Sequence, residues 1–401
     1  MSETSIEPCF IEFLTSETSD LLIELTELSQ IDQKLSLATA RSLASVVRVM
    51  NCYYSNLIEG HNTKLQDIQD AIDGDLRSAA TADDGKTRNL QLEAVAHIRV
   101  QEAIDKLHSE DRLPEPTSPD FLRWLHKSFY RDATIEMLTI DEDKQIIMTP
   151  GEFRVAGQEV VVGRHIPCSG AEVDNSMNYF SQRYASPGRA NQIISAAAAH
   201  HRLVYIHPFL DGNGRVARLM SHAINLKAGI GASGLWSISR GLARGLMSSD
   251  EYKLRLASAD TVRQGDLDGR GNLSQKALTE YVNWFLRVSC DQVKFMSALF
   301  DVGNLSNRLD RYVELKELAP ESKYILSAVL TGGQISRGDA ARLTGLKERR
   351  ARDVLSALVR DGIVGSDKPK SPVSLKFSID SSRVLFPRLF EDFPVDQSGH
   401  S

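Results

Sequence analysis

The sequence predicts a mainly α-helical protein with one small β-hairpin and a winged-helix domain near its C-terminal end. Three observations lead there. Apolar residues recur at three- and four-residue spacing over most of the chain. One short β-branched run, Glu159-Val-Val-Val162, lies between Gly157 and Gly163. The segment from Glu321 to Arg383 departs from the rest in pattern and in charge. At 401 residues the chain exceeds what one ordinary hydrophobic core organises. The expected division is an N-terminal helical region over 1–112, a helical core over 113–290, a helical linker over 291–320, a winged helix over 321–385 and a tail over 386–401.

Bulk properties narrow the function classes. A formal net charge of -6 gives no general reason for polyanion binding, although a sum over the chain can hide a basic domain. The opening Met1-Ser-Glu-Thr-Ser-Ile-Glu-Pro8 lacks a basic n-region and an apolar h-region, and no later stretch reaches the about eighteen apolar residues of a spanning helix. A cytoplasmic protein without membrane contact is expected. Cys9, Cys52, Cys168 and Cys290 lie far apart, which fits neither a disulfide framework nor a zinc site, so they read as reduced thiols.

Taken in order, Leu21, Leu25, Leu28, Ile31, Leu35, Leu43 and Val46 keep helical spacing, which resumes from Leu57 to Ile72. Gly74 and Ser78-Ala-Ala-Thr-Ala-Asp-Asp-Gly85 read as an exposed loop, and helical periodicity returns from Asn89 to Leu107. Ser118-Pro119 before Asp120-Phe121 has the form of a capped helix start with proline at its first position. The β-branched run at Glu159 to Val162 predicts the hairpin. Helices are then expected from Ala171 to about Leu315, among them Asn191 to Tyr205 and Arg215 to Leu226.

Between those two helices lies His207-Pro-Phe-Leu-Asp-Gly-Asn-Gly-Arg-Val-Ala-Arg218. Gly212, Asn213 and Gly214 accept positive φ, which turns successive N–H groups towards one point, and the helix that follows adds its own unpaired donors. Arg215 and Arg218, three apart in its first turns, present forked donors to phosphate oxygens. Asp211 at the mouth suits Mg²⁺, which a protein usually holds with one carboxylate plus substrate phosphates. His207, with an ordinary pKa near ~6.5, suits taking a proton from a hydroxyl, and Phe209 would anchor the loop in the core. Each residue alone has a bland reading as a packed histidine, a turn or a solvated arginine. Nine specified residues in one such window arise by chance on the order of 10⁻⁹ in a chain of this length.

His-Pro-Phe-x-Asp-Gly-Asn-Gly-Arg-x-x-Arg resembles, without a departure, the defining motif of the Fic family. The resemblance implies a Fic-type helical core and adenylylation, in which a Ser, Thr or Tyr hydroxyl of a target protein attacks the α-phosphate of ATP and pyrophosphate leaves. It implies His207 as general base and Asp211 as Mg²⁺ ligand. Phe209, Leu210, Asp211, Gly212, Asn213, Gly214, Arg215 and Arg218 would be nucleotide-binding, with Gly212 to Gly214 as anion hole and both arginines on the β- and γ-phosphates. Val160, Val161, Val162 and Gly163, after Gly151-Glu-Phe-Arg154, look like the family's flap, whose exposed edge pairs with an extended target segment. Ser239-Arg240 and Glu251-Tyr252 resemble family positions near the base.

Ser55-Asn-Leu-Ile-Glu59-Gly60 resembles the family's inhibitory motif. Ser55 and Glu59 are one helical turn apart, so the hydroxyl is expected to hold the carboxylate while it faces the second arginine of the loop, Arg218. The bland reading of Glu59 is a solvated helical residue.

In the last domain, Ile335 to Leu346 and Lys347 to Leu358 have helix-turn-helix spacing, and Gly362-Ile-Val and Val373 to Phe377 flank a turn with Lys368-Pro-Lys370. Glu321 to Arg383 carries 12 Lys and Arg against 7 Asp and Glu, a local charge of +5 against -11 elsewhere. Arg349, Arg350 and Arg352 suit contact with DNA, while a protein-contact module is the bland alternative. Three readings stay open: a regulated adenylyltransferase, an enzyme of the same core that uses another nucleotide donor or chiefly removes AMP, and a DNA-binding regulator.

Overall fold

A computed structural model describes residues 6–29, 35–76, 81–141, 146–185, 189–231, 234–366, 368 and 371–390. Ile31 of the first apolar series, Ser78 to Ala80 of the expected loop, Pro369-Lys370 of the expected wing turn and residues 391–401 of the tail lie outside them. Among the described residues no helix is long and apolar enough to cross a membrane. Two units divide the chain, and their borders differ from the consecutive ones expected. One comprises Met1–Ser29, Asn51–Gly231 and Ser237–Gln292; the other comprises Gln30–Met50, Ala232–Trp236 and Val293–Ser401. Two borders fall inside helices, after Met50 and after Gln292.

In chain order the helices are α1 (Ser16–Leu28), α2 (Leu37–Ile58), α3 (Leu65–Asp73), α4 (Ala82–Ser109), α5 (Pro119–Phe129), α6 (Ile135–Leu138), α7 (Val173–Tyr184), α8 (Arg189–Ile206), α9 (Asn213–Lys227), α10 (Ile238–Arg244), α11 (Glu251–Ala259) and α12 (Gln275–Phe300). The first unit is built around α9, in which Val216, Ala217, Leu219, Met220 and Ala223 are each at most 1% exposed. Its neighbour α8 buries the small run Ala196 to Ala199, which leaves room for α9, and Ser221 of α9 donates to the Ala196 carbonyl at 3.2 Å. A helix buried on every side needs its first-turn N–H groups satisfied by something other than water. That demand defines the site.

The start of α5 is as the sequence predicts. Ser118 accepts from the Phe121 N–H at 3.2 Å and Pro119 takes the first position, where its missing donor costs nothing. Two expectations change. Helix α4 begins at Ala82, inside the expected loop, because Thr81 caps it through the Asp84 N–H at 3.1 Å. The expected strand Glu159 to Val162 is reduced to a single bridge, in which Val162 and His165 exchange N–H bonds at 3.0 and 2.9 Å around Gly163-Arg164. Val161 is 70% exposed and Val162 37%, so this segment has no apolar face to bury, and an isolated hairpin is marginal in water. A short antiparallel pair that the sequence reading missed, β1 (Thr139–Asp141) with β2 (Ile146–Ile147), follows α6.

The second unit contains α13 (Val302–Leu315), α14 (Ser322–Gly332), α15 (Ala340–Thr344), α16 (Glu348–Asp361) and α17 (Ile379–Leu385). Its strands are β3 (Val364–Gly365) and β4 (Ser374–Leu375), which pair antiparallel, with a further bridge from Ile335 to Val373. Gly345 has φ 68° between α15 and α16, a turn that favours glycine. Helix α16 buries Ala351, Val354, Leu355 and Leu358 and leaves Arg349, Arg350 and Arg352 exposed.

Replacing Ser118 with Ala leaves an α5 donor without its side-chain partner. The expected cost is about 1 kcal/mol in urea unfolding, with no change in denaturant slope.

Candidate active site

The loop between α8 and α9 turns sharply at His207, whose φ of 54° is uncommon for a residue with a Cβ and is disfavoured further by the proline after it. Arg154, 1% exposed, holds that turn. Its side chain donates from Nε to the His207 carbonyl at 2.6 Å and from Nη2 to the Ile206 carbonyl at 3.1 Å, and its own N–H reaches the Pro208 carbonyl at 2.8 Å. Nη2 also donates to the Cys168 carbonyl. One residue thus ties the flap segment to the loop.

The His207 ring puts Nδ1 3.3 Å from the Val204 carbonyl. A carbonyl only accepts, so the proton belongs on Nδ1 and the Nε2 lone pair is left free. Burial pushes the ring down to about 4, the Arg154 charge adds to the effect, and the Val204 contact opposes it. Phe209 is fully buried, stacked on His126 at 4.0 Å and edge-on to Phe153 at 5.0 Å, which fixes the loop as expected. Leu210 is half-buried beside it.

Asn213 has a role the sequence reading did not foresee. Its side chain accepts from the Phe209 N–H at 2.9 Å and donates to the Phe209 carbonyl at 2.8 Å, so the amide closes the loop. Of the three expected cradle residues, Gly212 alone has positive φ, at 77°. A Cβ on it would lie 2.8 Å from the Tyr130 ring and hydroxyl.

Asp211 is half-exposed, and its Oδ2 accepts from the Tyr130 hydroxyl at 2.8 Å. Burial would raise its carboxyl, but the Arg215 guanidinium and the Tyr130 hydroxyl outweigh that and hold it below the usual range. His126 supports the loop from behind. Its Nδ1 accepts from the Gly151 N–H at 2.8 Å, so Nε2 carries the proton and donates to the Asp211 carbonyl at 3.2 Å. Among the described residues no three His, Cys, Asp or Glu side chains are grouped for a metal ion.

Both arginines are buried. Arg215 donates to the Tyr130 hydroxyl at 2.8 Å and to Glu93 Oε1 at 3.3 Å. Arg218, 1% exposed, donates from Nε to the Ser55 hydroxyl at 3.0 Å and from Nη2 to Glu59 Oε1. Ser55 therefore holds the guanidinium, where the sequence reading had it hold the carboxylate. Glu59 follows the last residue of α2, which is closed by Gly60 at φ 81°: Gly60 N–H bonds the Leu57 carbonyl and His61 N–H the Asn56 carbonyl. Burial would raise the Glu59 carboxyl, yet the charges of Arg218 and Arg215 prevail and lower it. A Cβ built on Gly214 would lie 2.8 Å from Glu59 Oε1. The carboxylate thus rests against the first turn of α9.

Glu59, Gly214, Arg218 and His207 line one cavity of about 950 Å³, together with Val162, Gly163, His165, Tyr205, Tyr252 and Asp260 among others. Arg349, Arg350 and Arg352 are not part of it. Sequence reasoning missed Tyr130, His126, Glu93 and the clamp of Arg154. His126 and Tyr130 did carry a signal, since they are polar residues at i and i+4 beside the apolar stripe of α5.

The buried start of α9 brings two arginines and a histidine to one cavity. Residues 116–224 match the model of the Fic/DOC family. It is 42% identical over 78 residues to the protein adenylyltransferase Fic of Nematostella vectensis, a stretch that makes up 19% of this chain and 18% of that protein. It is 40% identical over 81 residues to the Aedes aegypti protein of the same name, or 20% of this chain and 16% of the other. The chain thus matches under a fifth of these relatives' length. Residues 134–508 of Fic-1 from C. elegans share the helical fold with a TM-score of 0.50 and 16% identity, over 70% of this chain and 71% of that one.

The environment of His207 has a direct consequence in solution. Its ring is expected to stay neutral from pH 8 down to about 5 and to protonate with a midpoint near about 4 in an NMR titration. A midpoint near ~6.5 would contradict the buried, Arg154-facing environment.

Proposed function

We propose that the chain is a protein adenylyltransferase that moves AMP from ATP to a Ser, Thr or Tyr hydroxyl of a target protein or of itself, with Glu59 as its brake. One observation carries the reading: the Glu59 carboxylate lies against Gly214 at the start of α9 while bonded to Arg218. A carboxylate already fills the kind of position, at a helix start beside a guanidinium, that suits a phosphate. The adenylyltransferase names of the relatives matched in the Fic region support it.

In this reading His207 Nε2 takes the acceptor proton as the hydroxyl oxygen bonds to the α-phosphorus. The bond from that phosphorus to the bridging oxygen breaks, and pyrophosphate leaves. A ring neutral at pH 7 is the form a base requires. The first-turn N–H groups of α9, with Gly212 to Gly214, receive phosphate oxygens, and Arg215 and Arg218 balance the β- and γ-phosphates. Asp211, half-exposed and with only Oδ2 bonded to Tyr130, fits an ion whose other ligands are phosphate oxygens and water. Mg²⁺ held there would neutralise charge on the leaving group. The cavity has room for a nucleotide together with an acceptor side chain. The exposed Val160 to Gly163 segment would receive the target chain.

With labelled ATP in cell lysate, Glu59→Gly is expected to label targets and itself between ~10 and ~1,000 times more than wild type, since a partly buried ion pair is worth a few kcal/mol at most. Arg218→Ala should cancel that gain, His207→Ala should abolish labelling without abolishing ATP binding, and Asp211→Ala should remove metal-dependent turnover. Equal labelling by wild type and Glu59→Gly would remove the brake. Labelling from GTP, CTP or UTP alone would replace the donor.

A second activity is favoured by the exposure of Arg349, Arg350 and Arg352 on the first turns of α16, within a segment of charge +5. In this reading α14 to β4 form a winged helix that binds duplex DNA. A mobility shift that weakens with salt and with Arg349→Ala is expected, and no shift at low salt would leave a protein-contact module.

A further inference from the structure

Both arginines of the loop meet a glutamate, but the two carboxylates differ in what would let either one leave. Glu59 follows the last residue of α2 beside a glycine of positive φ, and its side chain is 31% exposed. Glu93 lies inside α4, and its side chain is 9% exposed. Its Oε1 takes Arg215 Nη2 at 3.3 Å while its Oε2 lies 2.8 Å from His61 Nδ1, so both oxygens are engaged. Arg215 gives its other arm to Tyr130 at 2.8 Å, and its guanidinium carbon lies 5.3 Å from the centre of the Phe129 ring. Swinging Glu93 away would break the His61 contact and leave a guanidinium that is 5% exposed to be balanced by the more distant, half-exposed Asp211 carboxylate at 3.7 Å, which a low-dielectric interior resists. Glu59 has no such second partner among the described residues; its contact is with Arg218.

We propose that Glu93 is the positioning residue of Arg215, fixing that guanidinium for the β- and γ-phosphates, and that it is not a second brake. The inference rests on the nucleotide-transfer reading above. Its sign is what makes it decisive. Removing a brake raises transfer, whereas removing a positioning residue lowers it and does so through the nucleotide. Because Arg215 would touch the outer phosphates, the loss should appear with ATP and not with AMP. Loosening an already ordered arginine costs affinity through the freedom it regains.

The test is Glu93→Gln in the Glu59→Gly background, read by steady-state transfer and by calorimetric binding of ATP and of AMP. KM for ATP is expected to rise about tenfold to a hundredfold, the range of one lost charge-assisted hydrogen bond, while AMP binding stays unchanged. Glu93→Gln added to Arg215→Gln should do no further harm, because the group it positions is gone. Faster transfer would make Glu93 a second brake, and an unchanged KM would make it a bystander. Either result overturns the proposal. A Glu59→Gly enzyme with Glu93 intact that neither binds ATP nor labels any protein would refute the transfer reading itself, and this inference with it. If Glu93→Gln lowers the melting temperature and loses AMP binding as well, Glu93→Asp takes its place: it keeps the charge and withdraws it by one methylene. The same selective loss for ATP is then expected, and equal loss for ATP and AMP would refute a positioning role.

Discussion

The site is governed by positive charge that the fold has buried. Helix α9 begins in the interior, with donors that no earlier turn can satisfy, and within its first two turns it carries Arg215 and Arg218 at 5% and 1% exposure. Two guanidiniums and a helix start held out of water require anionic or accepting partners. Most partners around them are of that kind: the Glu59 and Glu93 carboxylates, Asp211, the hydroxyls of Tyr130 and Ser55 and the Ser55 carbonyl, with His61 Nδ1 3.5 Å from Arg215 as well. A phosphate chain meets the same demand. That is why a carboxylate against Gly214 and a nucleotide are competitors for one position, in the reading proposed for this chain.

The partners are not equivalent, and the difference lies in the backbone. A carboxylate in the middle of a helix is held by the ladder on both sides of it. One placed just past a helix end is held by a single capping turn, here Gly60 with the Leu57 and Asn56 carbonyls. Of the two glutamates, Glu59 is therefore the one whose departure disturbs less. The loop it faces is pinned independently of it. Arg154 brackets His207 and Pro208, the Asn213 amide closes on Phe209, and the Phe209 ring lies on His126. Strain at the His207 turn is thus supported from the flap side, and the imidazole is held with its free nitrogen available whether or not Glu59 is in place.

The flap is the least regular part of the site. A β-branched run ordinarily signals a strand because its side chains pack on a pleated, half-buried surface. Val161 and Val162 have no such surface within their own unit, so the run keeps one bridge to His165 and leaves its remaining edge in solvent. Local propensity was wrong about a formed ladder, since a ladder needs a partner as well as a preference. The opposite error occurred at α4, where Thr81 and Asp84 capped a helix inside a stretch that composition marked as loop.

Much of the candidate site was legible in the sequence because it is local. His207 to Arg218 is contiguous, and glycine, histidine, aspartate and arginine at those spacings limit what the loop can bind before any packing is known. The cap at Ser118-Pro119, the helical rhythm and the basic character of the last domain belong to the same class of short-range information. Glu59 was legible only through resemblance. Tyr130, His126, Glu93 and the clamp of Arg154 were not found, because their meaning lies in contacts made across 53 to 122 positions of chain. The sequence by itself determined which groups meet an anion. The tertiary structure alone decided which carboxylates balance those groups and which one stands at a helix end, because burial makes each charge answerable to whatever the packing brings beside it.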